Sequence, residues 1–163
     1  MTIGGREMIQ SEIREIREFK LIGLQCETEM GKTMERLPKL WDQFISRSSE
    51  IKNRINERTG YGISIADDPT SKKFTYIAGV EVTDDSEIPH GMISTTIRAG
   101  RYAVFKHKGP VARIGATYDA IWKEWLPVSK QKINMKAPCL ERYDERFRDD
   151  DNSVMEILFP LES

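Results

Sequence analysis

The sequence is short of most of the features that announce a function. Two cysteines in 163 residues, Cys26 and Cys139, are too few to frame a disulfide-stapled domain. No activating neighbour marks either as a nucleophile, so each is expected as a small buried residue. The two histidines, His90 and His107, lie far apart, without metal-ligand spacing and without a local acidic or cysteine partner. A structural or exposed role is expected for both. GxSxG, HExxH, CxxC and glycine-rich phosphate loops are all missing, and Gly4-Gly5 and Gly91 are too isolated to cradle a phosphate. No metal and no cofactor are expected. Apolar runs fall far short of the roughly 20 residues that span a bilayer. The N-terminal MTIGGREMIQSEIREIREF lacks the apolar segment of a signal peptide, so a soluble cytoplasmic protein is expected. Charge of one sign is absent too. Lys plus Arg number 25 against 26 Asp plus Glu, a net charge of -1, which gives no global pull toward nucleic acid or membrane.

What is present is core-forming bulk: 39% hydrophobic residues, with three Trp, five Tyr and six Phe, enough to exclude disorder for most of the chain. The chain also repeats. Sliding it against itself by 81 residues brings Ile16-Arg17 onto Ile97-Arg98, Leu24 onto Phe105, Trp41 onto Trp122, Phe44 onto Trp125 and Asp68 onto Asp149. Each half reads strand, helix, strand, turn, strand.

In the first half, Ile13 to Glu27 reads as one extended segment. Met34, Leu37, Trp41, Phe44 and Ile45 recur at helical spacing after a break at Gly31-Lys32-Thr33, with the main helix expected to begin near Pro38. Alternating Tyr61, Ile63 and Ile65 predict a strand. The turn signal Asp67-Asp68-Pro69 and a strand from Phe74 to Val82 follow. In the second half, Met92 to Arg98 and Arg101 to Lys108 are expected strands. A helix carries Ile114, Tyr118, Ile121, Trp122 and Trp125 on one face and stops at Pro127. Leu140 to Phe147 and Val154 to Phe159 are expected to form a hairpin around Asp149-Asp150-Asp151. A unit of three strands and one helix is too small to bury both faces of its elements alone. The expected fold is therefore α+β, one domain of two β-α-β-β units related by a pseudo-two-fold. The repeats run over about 11–82 and 92–163, joined by a linker at 83–91. Both main helices pack on one side of an antiparallel-rich sheet, and a cleft opens at the seam.

Within that fold one carboxylate breaks a local rule. In an extended Leu140–Phe147 segment, Glu141, Tyr143, Glu145 and Phe147 share the more aromatic side, which should face inward. A carboxylate there needs a partner. Glu156, on the partner strand and roughly opposite Tyr143, raises the same question. The plainer alternative puts both glutamates at sheet edges, paired with Arg142, Arg146 or a lysine. Trp122 and Trp125, like Trp41 and Phe44, are spaced as aromatics that pack on a sheet, yet repeat-related helices would bring both pairs toward the seam. An aromatic cleft around a carboxylate suits flat, apolar or cationic molecules.

The chain resembles the GyrI-like family, which has the SOUL/GyrI-like fold and is also met as the effector-binding domain of AraC-type and MerR-type regulators. The similarity runs through FTYIAGVEV at Phe74–Val82, IPHGM at Ile88–Met92 and AGRYAVFKHKGP at Ala99–Pro110. It continues through TYDAIWKEWLP at Thr117–Pro127, APCLERYDE at Ala137–Glu145 and MEILFPL at Met155–Leu161. The resemblance implies the same duplicated fold and a cleft for small aromatic or cationic molecules. Its pocket glutamate, in an F-E-x-Y pattern, matches Leu140-Glu141-Arg142-Tyr143 with Leu replacing the aromatic, and that of the last strand matches Glu156. With no room here for a helix-turn-helix reader, the resemblance implies a stand-alone small-molecule-binding protein that does not itself bind nucleic acid or membrane.

One subset of the family hydrolyses cyclopropane-containing DNA-alkylating compounds and so confers drug resistance. On that alternative Glu141 would take the acid role, with Tyr61, Trp125 and Tyr143 in an aromatic cage. A further alternative is a protein-interaction inhibitor of a topoisomerase-like partner. The expected ligand-binding residues are Glu141, Glu156, Trp125, Trp122, Trp41, Phe44, Tyr61 and Tyr143.

Overall fold

A computed structural model of the chain describes residues 2–3, 6–7, 9–66, 68 and 70–162, with backbone alone for 2–3, 6–7 and 34. Gly4-Gly5, the side chain of Met34, and Asp67 and Pro69 of the expected turn lie outside the described residues; Asp68 accepts hydrogen bonds from Thr70. A short antiparallel pair, β1 (Thr2–Ile3) and β2 (Arg6–Glu7), comes first. The first repeat holds β3 (Ser11–Ile16), β4 (Phe19–Glu29), α1 (Thr33–Arg47), β5 (Gly60–Ile65) and β6 (Lys73–Val82). The second holds β7 (Ile93–Ile97), β8 (Gly100–Lys108), α2 (Ile114–Ala120) and α3 (Leu126–Ser129) joined by a π-helical turn at Ile121–Trp125, then β9 (Cys139–Tyr143) and β10 (Val154–Pro160).

The eight long strands form one antiparallel sheet in the order β3-β8-β10-β9-β5-β6-β4-β7. Each repeat contributes a three-stranded block, and the blocks meet where β5 pairs with β9. The first strand of each repeat crosses to the other block. β3 pairs with β8, and β7 pairs with β4. The single extended segment expected over Ile13–Glu27 is therefore two strands, broken at Arg17-Glu18 where the chain leaves one block for the other.

The sheet curls, and alternation along its strands fills three cores. On the face away from the helices, Phe19, Leu21, Tyr61, Ile63, Tyr102 and Leu158 belong to one cluster drawn from both blocks. Residues this far apart in strand order meet because a twisted sheet coils on itself. On the other face, α1 covers Ile22, Tyr76, Ala78 and Val80, while α2 and the π turn cover Ala103, Phe105, Ile157 and Phe159.

Two prolines behave differently from expectation. The first helix begins at Thr33, with Pro38 inside it, rather than near Pro38. The second does not stop at Pro127 but runs to Ser129. The π turn ahead of it lets Leu126 N–H bond the Ile121 carbonyl, which re-spaces the ladder before the ring. Ile45, expected on the buried face of α1, is 64% exposed, and Leu40 takes its place in the core. The strand expected over Leu140–Phe147 ends at Tyr143. There Asp144 accepts the Arg146 amide at 2.9 Å and turns the chain.

Candidate ligand-binding site

Glu141 sits at the seam. It pairs with Gly62 of β5 on one side and Ile157 of β10 on the other, and its side chain points to the helix-covered face. Three phenols converge on it. Tyr143, two residues along the same strand, donates to Oε1 at 2.9 Å, and Tyr76 of β6 donates to the same oxygen at 3.0 Å. Tyr118 of α2 donates to Oε2 at 2.6 Å. Behind them, Trp41 of α1 gives its indole N–H to the Tyr76 oxygen at 3.1 Å. β9 thus supplies the carboxylate and one phenol, β6, α2 and α1 one group each, and Gly62 of β5 supplies space. A β-carbon there would overlap the Tyr76 hydroxyl and come within 2.7 Å of its Cζ and 2.9 Å of Glu141 Oε1.

The phenolic protons are held firmly. Burial, and then the charge of Glu141, push the ionisation of Tyr76, Tyr118 and Tyr143 well above the ordinary value of 10.0. Around the phenols the rings meet edge to face. Trp41 packs on Tyr143 at 5.4 Å, Tyr143 on Phe147 at 4.9 Å and Tyr118 on Phe159 at 6.1 Å. Glu141 keeps partial solvent access. Among the described residues no Lys or Arg forms an ion pair with it.

Glu156 makes an instructive contrast. Its Cα partners are Arg142 and Lys106, so it points to the opposite face of the sheet from Glu141. It is 3% exposed, and Arg14 grips it with two hydrogen bonds of 3.0 Å; Arg142 and Arg146 stand 3.7 and 3.6 Å away. Burial raises its pKa, but the hydrogen bonds and charge of Arg14, with the charges of Arg142 and Arg146, together outweigh this and leave it below the usual value. Arg142 and Arg146 also hold Asp144, and Arg14 donates to Glu12, so three arginines face three carboxylates.

The remaining expected site residues divide in the same way. Trp41 and Tyr143 belong to the Glu141 cluster, and Phe44 is buried behind Trp41 at 6.0 Å. Trp122, 40% exposed, stands against Phe159 at 5.4 Å. Trp125 is packed into the core against Phe105 at 4.8 Å. Tyr61 lies on the face opposite Glu141, against Phe19 at 5.0 Å. Tyr76 and Tyr118 were missed. The signal for them is a hydroxyl-bearing residue on an otherwise apolar face, which must find a partner when buried.

Other polar groups are accounted for without chemistry. His107 is buried between the Thr117 hydroxyl at 2.7 Å and the Pro110 carbonyl at 2.9 Å. Cys26 and Cys139 are free, and burial raises both thiols. A surface depression of about 370 Å³ along α1, lined by Cys26, Glu35, Arg36, Lys39, Leu40 and Gln43, shares no residue with the Glu141 cluster. Among the described residues no group of three His, Cys, Asp or Glu side chains converges as a metal site would, and no helix is long and apolar enough to cross a membrane.

Comparison with known proteins bears on the family and the fold. The transcriptional regulator BrlR of Pseudomonas aeruginosa is 35% identical over 157 residues, covering 94% of this chain and 56% of that protein. The chain spans about half the length of the curated relatives it matches. Among solved structures, SAV2435 bound to tetraphenylphosphonium superposes with a TM-score of 0.76 at 16% identity, over 95% of both chains. A hydrolase encoded by lin2189 from Listeria innocua superposes at 0.56 and 10% identity, over 94% of this chain and 92% of that one. At such identities these likenesses speak to the fold. The model of the GyrI-like small molecule binding domain matches residues 9–162, and the chain belongs to that family.

Proposed function

We propose that the chain binds planar aromatic, hydrophobic or cationic compounds, such as drugs or toxins, at the seam of its two repeats, with Glu141 as the charged centre. One observation carries this reading. Among the described residues Glu141 is held by three neutral donors and no cation, whereas Glu156, on the other face, is neutralised by arginines. A partly exposed carboxylate that is ordered but not charge-balanced is prepared for a positive partner. The tetraphenylphosphonium held by the SAV2435 structure is a lipophilic cation of the same broad class. Adding tetraphenylphosphonium and a panel of planar cations should raise the melting temperature by mass action, about 2.7 kcal/mol of stabilisation at a hundredfold excess over Kd. Loss of that shift in both Glu141→Gln and Trp41→Ala supports the site, and a shift unchanged in both refutes it.

A second reading, hydrolysis of cyclopropane-bearing compounds, draws on the Listeria innocua hydrolase that shares the fold. Three of the roughly four lone-pair sites of Glu141 already accept phenols, which leaves little to activate a water and favours binding over catalysis. Substoichiometric protein yielding a ring-opened, water-added product would reverse that preference.

A further inference from the structure

The large sheet ends in two edge strands, β3 and β7, and the duplication makes them equivalent. At the 81-residue offset Glu12, Arg14 and Glu15 of β3 correspond to Ile93, Thr95 and Thr96 of β7. An edge strand is a template for pairing with another chain, and charged side chains are a common guard against it. β3 carries that guard. β7, which reads Ile93-Ser94-Thr95-Thr96-Ile97, has neither a charge nor a proline.

The ladder fixes which groups of β7 point off the sheet. The Met30 N–H bonds the Lys72 carbonyl at 3.0 Å, in register with the β4–β6 pairing. Even-numbered residues of β4 therefore turn their backbone groups to β6, and odd-numbered ones turn theirs to β7. Phe19, Leu21 and Gly23 thus bond Ile97, Thr95 and Ile93. Ser94 and Thr96 are left with N–H and C=O directed outward. Thr96 is exposed and Ser94 half-buried, and among the described residues β7 pairs with β4 alone.

A second β7 laid antiparallel on this edge, with a two-fold through Thr95, sets Ser94 of each copy opposite Thr96 of the other. Those are the residues with free backbone groups, and each such pair can exchange both of its bonds. The two Thr95 side chains then meet in the closer, non-hydrogen-bonded position, and Ile93 faces Ile97 of the second copy. No charge opposes another. The same operation on β3, at the equivalent position, would centre on Arg14 and bring two guanidinium groups face to face.

We propose that two copies of this chain pair through β7, antiparallel about Thr95, and join their sheets into one. No residue of the Glu141 cluster takes part. Sedimentation of the full chain at rising concentration should show a monomer giving way to a species of twice the mass. Thr95→Arg copies the guard of β3, and Thr96→Pro deletes an outward N–H that β4 does not use. Each should weaken the dimer at least about tenfold, as the loss of one hydrogen bond predicts, with the circular dichroism spectrum unchanged. Thr95→Cys tests the register. Facing Cβ atoms about 4.5–5.5 Å apart lie near the reach of a disulfide, so copper phenanthroline should cross-link that variant. Thr96→Cys, and the parent chain with Cys26 and Cys139, should stay uncross-linked.

A monomer at every concentration up to about 1 mM would overturn the inference. So would a dimer that Thr95→Arg and Thr96→Pro both leave intact, or one that cross-links through Thr96→Cys and not Thr95→Cys. Mass growing beyond twofold would mean β7 pairing with β3 of the next copy, a contact that does not close, and would refute the two-fold. Should a variant fail to fold, the wild-type mass and the Thr95→Cys cross-link decide.

Discussion

Gly62→Ala is the smallest change that should dismantle the seam. In a strand interior this substitution ordinarily stabilises, by about 0.5–1 kcal/mol, because glycine loses more backbone freedom on folding. Here the new methyl group would overlap the Tyr76 hydroxyl and lie 2.7 Å from Cζ and 2.9 Å from Glu141 Oε1. Tyr76 is 1% exposed, anchored by Trp41 and packed in the core under α1, so it has little room to withdraw. Overpacking of this kind costs about 1–3 kcal/mol. Pushing the phenol off the carboxylate forfeits a charge-assisted hydrogen bond worth about 1.5–3 kcal/mol. Less the backbone gain, the net expectation is a loss of about 2–5 kcal/mol, measurable as a lowered urea midpoint with an unchanged slope. Repeating the substitution in a Tyr76→Phe background isolates the cause. With the hydroxyl already gone, the methyl group should cost markedly less, and the two changes should be strongly non-additive. A Gly62→Ala protein within about 0.5 kcal/mol of the wild type, or strictly additive effects, would refute the placement of Tyr76 over Gly62.

The opposite face makes its own predictions. Arg14→Ala leaves Glu156 buried without its two-point partner, at a cost near the lower end for breaking a buried pair, about 3 kcal/mol, since Arg142 and Arg146 remain nearby. Glu156→Gln added to Arg14→Ala should recover part of that loss; an Arg14→Ala cost below about 0.5 kcal/mol would show the pair to be unimportant. At high pH the phenols dominate. All five tyrosines are raised above 10.0, each first by burial, so the unfolded chain releases these protons before the folded one does. Their stabilisation is complete below pH 10 and is lost as pH rises from there toward the folded values. Ultraviolet titration should therefore show far less phenolate at pH 10 in the native protein than in urea, where about half is expected. Native ionisation near pH 10 would contradict the burial of the cluster.

Much of this was legible in residue spacing, and the failures are specific. Alternation located β5, β6, β8 and β10, and the offset of 81 residues located the duplication, because both follow from one-dimensional patterns. Glu141 and Tyr143 were placed on the aromatic side of their strand for the same reason. Glu156 was expected opposite Tyr143 and stands opposite Arg142, and that slip of one residue moves a side chain to the other face of the sheet. The cause lies in the hairpin. Asp144 turns the chain at the end of β9, and the Ser153 hydroxyl, fully buried, accepts the Arg148 and Asp149 amides at 2.9 and 3.1 Å. Those bonds set the register and have no periodic signature. Trp122 and Trp125 share a face by simple helical counting, but the π turn that carries both adds a residue to the ladder, and the two diverge into rim and core. Tyr76 and Tyr118 come from different repeats, one on a strand and one on a helix, and could be joined only by the folded sheet.

The seam also explains why a duplicated fold carries a single centre. Tyr61 and Arg142, 81 residues apart, are paired with each other, so the pseudo-two-fold passes through that pair. It exchanges Gly60 with Glu141 and Gly62 with Tyr143, and these flank the axis as the pairs Gly60–Tyr143 and Gly62–Glu141. The first repeat therefore presents two glycines where the second presents a carboxylate and a phenol. A symmetric seam would bring two carboxylates onto neighbouring strands, where like charges oppose joint ionisation. It would also put a side chain in the space through which Tyr76 reaches Glu141. The helices break the symmetry as well. Leu37 stands at the counterpart of Tyr118 and has no proton to donate, while Trp41 is tied to Tyr76 and its counterpart Trp122 is 40% exposed. Duplication supplies the curled sheet and its two helices; the bare glycines Gly60 and Gly62 of one repeat leave room for the polar centre of the other. Binding should accordingly saturate at one ligand per chain. A stoichiometry of two would mean that the site lies elsewhere, in features the repeats hold in common.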